Sequence, residues 1–148
     1  MENLRYRPKG NFSQEAEWQQ LYILTEHWQS DLQFYKGDLD FLFHLIDKYF
    51  LSLIQKENLD EMRGLTKSLS EEIKDCNSLL KKTSSHLTHL SELIDYPFKY
   101  DSHQFRSEHE KLEDEIVTFV KKFKKNKKET FAITEQVIKK EMNKRLMP

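Results

Sequence analysis

The chain has 148 residues, 33% charged and 37% hydrophobic, with a formal net charge of −1. It is long enough for one domain with a buried core, and its balanced charge gives no global basic field of the kind that binds nucleic acid. Three glycines and three prolines in a background rich in Glu, Lys and Leu favour long helices over sheet, and a 12% aromatic content argues against disorder.

The lone Cys76 excludes an internal disulfide and a zinc cluster built within one chain. No apolar run reaches the roughly eighteen residues of a transmembrane helix. The opening residues Met1 to Pro8 lack the apolar core of a signal peptide, so a cytoplasmic location is expected.

Residues 1–12 carry Pro8 and Gly10 without periodicity, and read as a flexible arm pinned by Phe12. Ser13 is the expected N-cap of a first helix, with Glu15 and Glu17 where the helix dipole favours acids. From there the apolar residues fall at alternating spacings of three and four: Trp18, Leu21, Thr25, Trp28, Leu32, Tyr35, Leu39, Leu42, Ile46, Tyr49 and Leu53. These are the a and d positions of a heptad seam, and they predict one helix over 13–54. Gly37 falls at position f, where it costs ~1 kcal/mol relative to alanine. The seam crosses it without a change of phase, so the helix is expected to continue.

Asn58-Leu59-Asp60-Glu61 has the pattern of a capping box opening a second helix over 58–95. Its seam reads Leu59, Met62, Thr66, Leu69, Ile73, Cys76, Leu80, Thr83, Leu87, Leu90 and Ile94, with Leu65, Leu79 and Leu93 widening it on the g side. Cys76 in that row reads as a small core residue. Pro97 ends the helix, because the residue before a proline avoids helical geometry. Asp101 or Ser102 caps a third helix over 102–146, with a seam from Phe105 through His109, Leu112, Ile116, Phe119, Phe123, Asn126, Thr130 and Ile133 to Val137. Towards its end the apolar set is expected to drift to Phe131, Ile138 and Met142, as a 3.6-residue helix does against a 3.5 repeat. Short turns between long helices require antiparallel neighbours. The expected fold is all-α: an up-down-up bundle of three long antiparallel helices with coiled-coil-like packing, associated as a dimer.

Three features bear on function. Phe34 and Phe41 both fall at position c of the first helix, outside the bundle seam. Either the bundle is rotated and both rings are core, or a further helix covers them, most simply one from a second copy. Phe43 and Phe50, at e, are expected against a neighbouring helix. Secondly, the antiparallel register sets His27 level with His86 and His89 level with His109. Asp31, His86, His109 and Glu113 could then converge at one end of the bundle. Imidazole nitrogens and carboxylates projecting inward from several helices are the donor set of a transition-metal site. The simpler reading is a buried histidine hydrogen-bonded to Asp31 or Glu113. Thirdly, six lysines crowd Lys121 to Lys128, but Phe123 and Asn126 keep the seam through the run. Those lysines are therefore expected on the flanks of an ordinary helix, opposite Glu71, Glu72, Asp75, Asp38 and Asp40.

No nucleophile, base and oxyanion donor fall together, so no catalysis is expected. The functional expectation is a non-enzymatic interaction or scaffold protein, without a cofactor, that contacts its own copy or another helical protein through Phe34 and Phe41, with no nucleic-acid or membrane partner. The alternative is a sensor or redox protein holding a transition metal ion or ligand at the His and carboxylate cluster.

Overall fold

The structure, a computed structural model, describes residues 11–49 and 59–146. It is all-helical, with four helices packed against one another and no strand among the described residues: α1 (Phe12–Glu15), α2 (Trp18–Lys48), α3 (Leu59–Asp95) and α4 (Ser102–Leu146). The expected end of the first helix near Ile54, the Asn58 cap, Phe50 and most of the N-terminal arm lie outside the described residues. Tertiary contacts gather the chain into two compact units. One combines the chain through Phe34 with Cys76–Thr118, the other Tyr35–Asp75 with Phe119 onward.

The first helix does not run unbroken from Ser13. Ala16 is extended, at φ −65° and ψ 148°, and separates α1 from α2. Ser13 is a buried member of α1 rather than an N-cap, and Asn11 holds the cap position without a side-chain bond. Packing explains the break. Ala16 is buried with Leu21, Leu90, Leu93 and Phe105, and Phe12 and Trp18 pack against the same cluster. An extended residue lets both sides of the junction reach that core. The carbonyls it exposes are met by Arg106, whose Nη1 donates to Ser13 O at 3.2 Å and Ala16 O at 2.7 Å. The same guanidinium lies 4.1 Å from the Trp18 ring centroid. The α2 helix restarts with half a capping box, the Glu17 N–H donating to Gln20 Oε1 at 3.0 Å.

From Trp18 the seam is as expected. Leu21, Thr25, Trp28, Leu32, Leu39, Leu42 and Ile46 are buried, Gly37 leaves the helix intact, and Leu24 adds to the buried face. The α4 seam is likewise buried from Phe105 to Val137. Its cap is Asp101, whose Oδ1 accepts the Gln104 N–H at 2.8 Å. The expected late drift does not occur: Phe131, Ile138 and Met142 are exposed, while Ile133, Thr134 and Val137 carry the burial. This end of α4 keeps the heptad period instead of precessing around the helix.

The α3 seam is turned relative to expectation. Its buried row is Met62, Leu65, Leu69, Glu72, Cys76, Leu79, Thr83, His86, Leu90 and Leu93. Leu59, Thr66, Ile73, Leu80, Leu87 and Ile94, the expected a positions, are only half-buried. Leucines at Leu65, Leu79 and Leu93 make the d–g stripe as apolar as the a–d stripe, and the helix rolls onto it. Two ionisable residues on that stripe, Glu72 and His86, enter the core with the leucines.

Most other buried polar atoms are satisfied locally. Thr25, Thr130 and Thr134 donate to the carbonyls of Leu21, Asn126 and Thr130, one turn back, at 2.7 to 2.9 Å. Cys76 donates its S–H to Leu32 O at 3.3 Å, a core role as expected. In the second unit Ser68 donates to the buried Asn126 Oδ1 at 3.0 Å.

Glu72 is different. It is fully buried, and neither carboxyl oxygen has a hydrogen-bond partner among the described residues. It was expected on the solvent side among the acids facing the lysine run. Burial pushes its pKa from 4.5 up to about 7, against the opposing pull of Lys122. The folded protein then binds the proton more tightly than the unfolded chain does. Stability contributed by this group is complete below pH 4.5 and is lost as pH rises towards 7. Urea unfolding should therefore show Glu72→Leu to be more stable than the parent by about 1–3 kcal/mol at pH 8, with the gain much reduced at pH 4.5. An equal gain at both values would show the carboxyl to be indifferent to its charge state.

Candidate functional site

The expected histidine cluster lies in the first unit, and the structure assembles part of it. His86 on α3 and His109 on α4 are both buried, with His86 Nε2 and His109 Nδ1 2.7 Å apart. One nitrogen donates and the other accepts, so a single proton lies between the rings. The roll of α3 accounts for this pairing: it aims His86 inward, one turn from the His89 that the expected register set beside His109.

The pair is clamped within a column of rings. Trp28 stacks on His109 at a centroid distance of 4.8 Å, His109 on His86 at 5.0 Å, and His86 on Phe105 at 4.6 Å and 6°. Trp18 meets the edge of Phe105 at 5.6 Å. Both tryptophans thus serve the histidine layer. The outer edge of His86 borders an open groove of about 290 Å³, lined also by Lys82, His89, Glu108, Lys111 and Glu115. Lys82 is paired across it to Glu115 at 2.9 Å. Burial, followed by the neighbouring His89 charge, lowers the pKa of His86 from 6.5 to about 4, so the ring is neutral at pH 7.

Of the four expected ligands the structure joins only these two. Asp31 and Glu113 are half-buried on α2 and α4. Among the described residues no group of three or more His, Cys, Asp or Glu side chains could hold a metal ion. His86 Nε2 and His109 Nδ1 are turned on each other, which is the chemistry of a polar core layer.

The second expected site is the outer face of α2. Phe34 is 68% exposed and Phe41 54%, so the bundle is not rotated to bury them. Phe43 is at the border of exposure and helps line a groove of about 490 Å³ with Met62, Thr66 and the stems of Arg63 and Lys67. A site the sequence did not reveal is the turn after α3. Phe98 there is 98% exposed, beside the exposed Tyr96. Its base is braced by Tyr100, whose hydroxyl donates to Glu92, and by Lys99, whose Nζ is 3.3 Å from the same carboxylate. These two donors hold Glu92 below the usual carboxylate pKa. The signal for a turn was Pro97, but nothing in the composition said that Phe98 would face solvent.

The lysine run behaves as expected at the positions that pair. Lys122 lies 3.7 Å from Glu71 and Lys127 2.8 Å from Asp38, while Phe123 and Asn126 are buried beneath them. No helix of the described residues is long and apolar enough to cross a membrane.

Comparison with protein-family models, with curated proteins and with solved structures finds no match to this chain.

The histidine pair has a measurable consequence. The folded state binds fewer protons at His86 than the unfolded chain does, so its contribution to stability is present above pH 6.5 and is lost as pH falls to about 4. In His86→Phe the acid-induced loss over that interval should shrink, whereas stability at pH 7 should drop by about 1–3 kcal/mol as His109 loses its partner. Chemical denaturation at pH 7, 5.5 and 4.5 measures both.

Proposed function

We propose that this chain is a non-enzymatic helical interaction protein. In this reading α2, α3 and α4 form a three-helix, up-down-up scaffold with coiled-coil-like packing, and the outer face of α2 receives another helix. The observation that carries it is the exposure of Phe34 and Phe41, seven residues apart on one uninterrupted helix. Two large exposed rings on one helical face offer the kind of apolar surface that a further helix covers. An amphipathic helix laid along α2 is the partner that fits a face of this spacing.

The core chemistry points the same way. The buried hydroxyls of Thr25, Thr130 and Thr134 bond to their own helices, and the two buried imidazoles bond to each other. These polar groups are arranged to hold a packed interior, not to meet a substrate.

A photoreactive phenylalanine analogue placed at position 41 in the full chain, with a second variant at position 34, tests the reading in cells. Both positions should give discrete adducts with a protein chain. The same group at the exposed Lys81 on α3 should give none. If positions 34 and 41 behave like position 81, α2 is a bare face and the proposal is wrong.

A further inference from the structure

The outer face of α4 in the second unit departs from what a bundle helix usually presents to water. Its inner face buries Phe123, Asn126, Thr130, Ile133 and Val137. On the outer side a second row runs at the same alternating spacings of three and four. It begins with Lys121, Lys124 and Lys128 and continues as Phe131, Glu135, Ile138 and Met142, all exposed. The row is therefore basic at first and largely apolar after. Phe131 is 43% exposed, Ile138 38% and Met142 55%. Solvated lysines alone are ordinary on such a face, but lysines continued by three large apolar side chains mark a surface that meets something.

The lysines of this face are not neutralised by the bundle. Lys122 and Lys127, half-buried, take the acids of the neighbouring helices, Glu71 at 3.7 Å and Asp38 at 2.8 Å. The other four, Lys121, Lys124, Lys125 and Lys128, are exposed and pair with no acid among the described residues. They stand at i, i+3, i+4 and i+7, so they share one face over about 10 Å of helix. Glu129 follows them and offsets only part of their charge. The whole chain is at −1, so its excess of acid lies elsewhere and this face is a local positive pole. Further along the row, the charge of Glu135 is met in place by Lys139 at 3.2 Å.

We propose that this face of α4 docks on the headgroup layer of an anionic lipid bilayer. The four unpaired lysines meet the anionic headgroups, and Phe131, Ile138 and Met142 enter the boundary with the acyl chains. Charge selects an anionic partner, and the order of the row selects a bilayer. A nucleic-acid backbone would use the lysines and leave the three apolar side chains idle. The aromatic ring within the run, Phe123, is buried and gives a base nothing to stack on. An acidic helix would have to place its acids in one stretch and its apolar residues in the next. A bilayer offers both everywhere, because the headgroups overlie the acyl boundary across its whole surface. Lysine suits that layer, its apolar stem lying in the interface while the ammonium reaches the headgroups. The contact is peripheral, since no helix of the described residues is long and apolar enough to cross a membrane. Overall charge gave no reason to expect a membrane partner, and this one face supplies it. It shares no residue with the outer face of α2, so either reading survives the failure of the other.

Flotation of the full chain with lipid vesicles tests this. Vesicles of phosphatidylcholine with about 30% phosphatidylserine should carry the protein at low salt, vesicles of phosphatidylcholine alone should not, and about 0.5 M salt should release it. Lys121→Gln, Lys124→Gln, Lys125→Gln and Lys128→Gln should each lower partitioning about five-fold. The four together should bring it to the level of neutral vesicles, with an unchanged circular dichroism spectrum. A control with Lys36, Lys67, Lys74 and Lys81 changed to glutamine has the same net charge and should float like the parent. Phe131→Ser with Ile138→Ser should also weaken flotation, without altering charge. A parent that does not float with the anionic vesicles overturns the inference, as does a control that loses binding as fully as the α4 variant. Tighter binding to a short RNA duplex or to polyglutamate than to the vesicles, unaffected by the changes at Phe131 and Ile138, would assign the face to another anion and overturn it too.

Discussion

Burial of one face of α2 is the constraint on which the rest of the structure depends. Leu21, Leu24, Leu32, Leu39 and Leu42 are fully buried, and α3 and α4 have to supply rows of matching spacing to keep them so. Truncating leucines in such environments to alanine typically costs 2–5 kcal/mol each, which is comparable with the whole stability of a domain this size. Neither α3 nor α4 is free to choose its roll or register independently of that face. The pairs Gln29–Ser84 and Lys82–Glu115 in the first unit and Glu71–Lys122 and Asp38–Lys127 in the second fix antiparallel and parallel neighbours consistently with it.

The same constraint explains the two odd core residues. When α3 rolls onto its leucines at Leu65, Leu79 and Leu93, it carries Glu72 and His86 inside. The two solve the problem of a buried ionisable group differently. His86 stays neutral and spends a ring nitrogen on His109, with rings above and below. Glu72 has no such bond among the described residues and is relieved by holding its proton. Their shifts are opposite in sign, so the stability contributed by His86 falls in acid and that contributed by Glu72 falls in alkali.

How much of this was legible depended on whether local spacing alone decided the outcome. The seams of α2 and α4 were, because Trp28, Leu32, Leu39 and Leu42, or Ile116, Phe119 and Phe123, admit only one buried face. The pairing of neighbouring helices was legible within a turn, which placed His86 and His109 near each other but chose the wrong contact for His109. The α3 roll was not legible: two overlapping stripes, one through Leu59, Ile73 and Leu87 and one through Leu65, Leu79 and Leu93, were both apolar, and local spacing does not decide between them. The break at Ala16 was hidden for another reason. The carbonyls it frees are met by Arg106, about ninety residues away, and no local motif announces a partner at that distance. Phe34 and Phe41 lay between these cases. Their heptad position raised the question of exposure, and only the packed helices answered it.

The central claim is that the Phe34 and Phe41 face of α2 is a covered surface in the working protein. Fluorine NMR of the full chain with 4-fluorophenylalanine at position 41 in one sample and at position 98 in another tests it most directly. Phe98, in the exposed turn after α3, is the internal standard for a solvated ring. The account predicts that in a concentrated cell extract the position 41 resonance is shifted and protected from a soluble paramagnetic agent compared with dilute pure protein, while position 98 stays solvent-like in both. Equal exposure of the two rings in the extract and in dilute solution would contradict it.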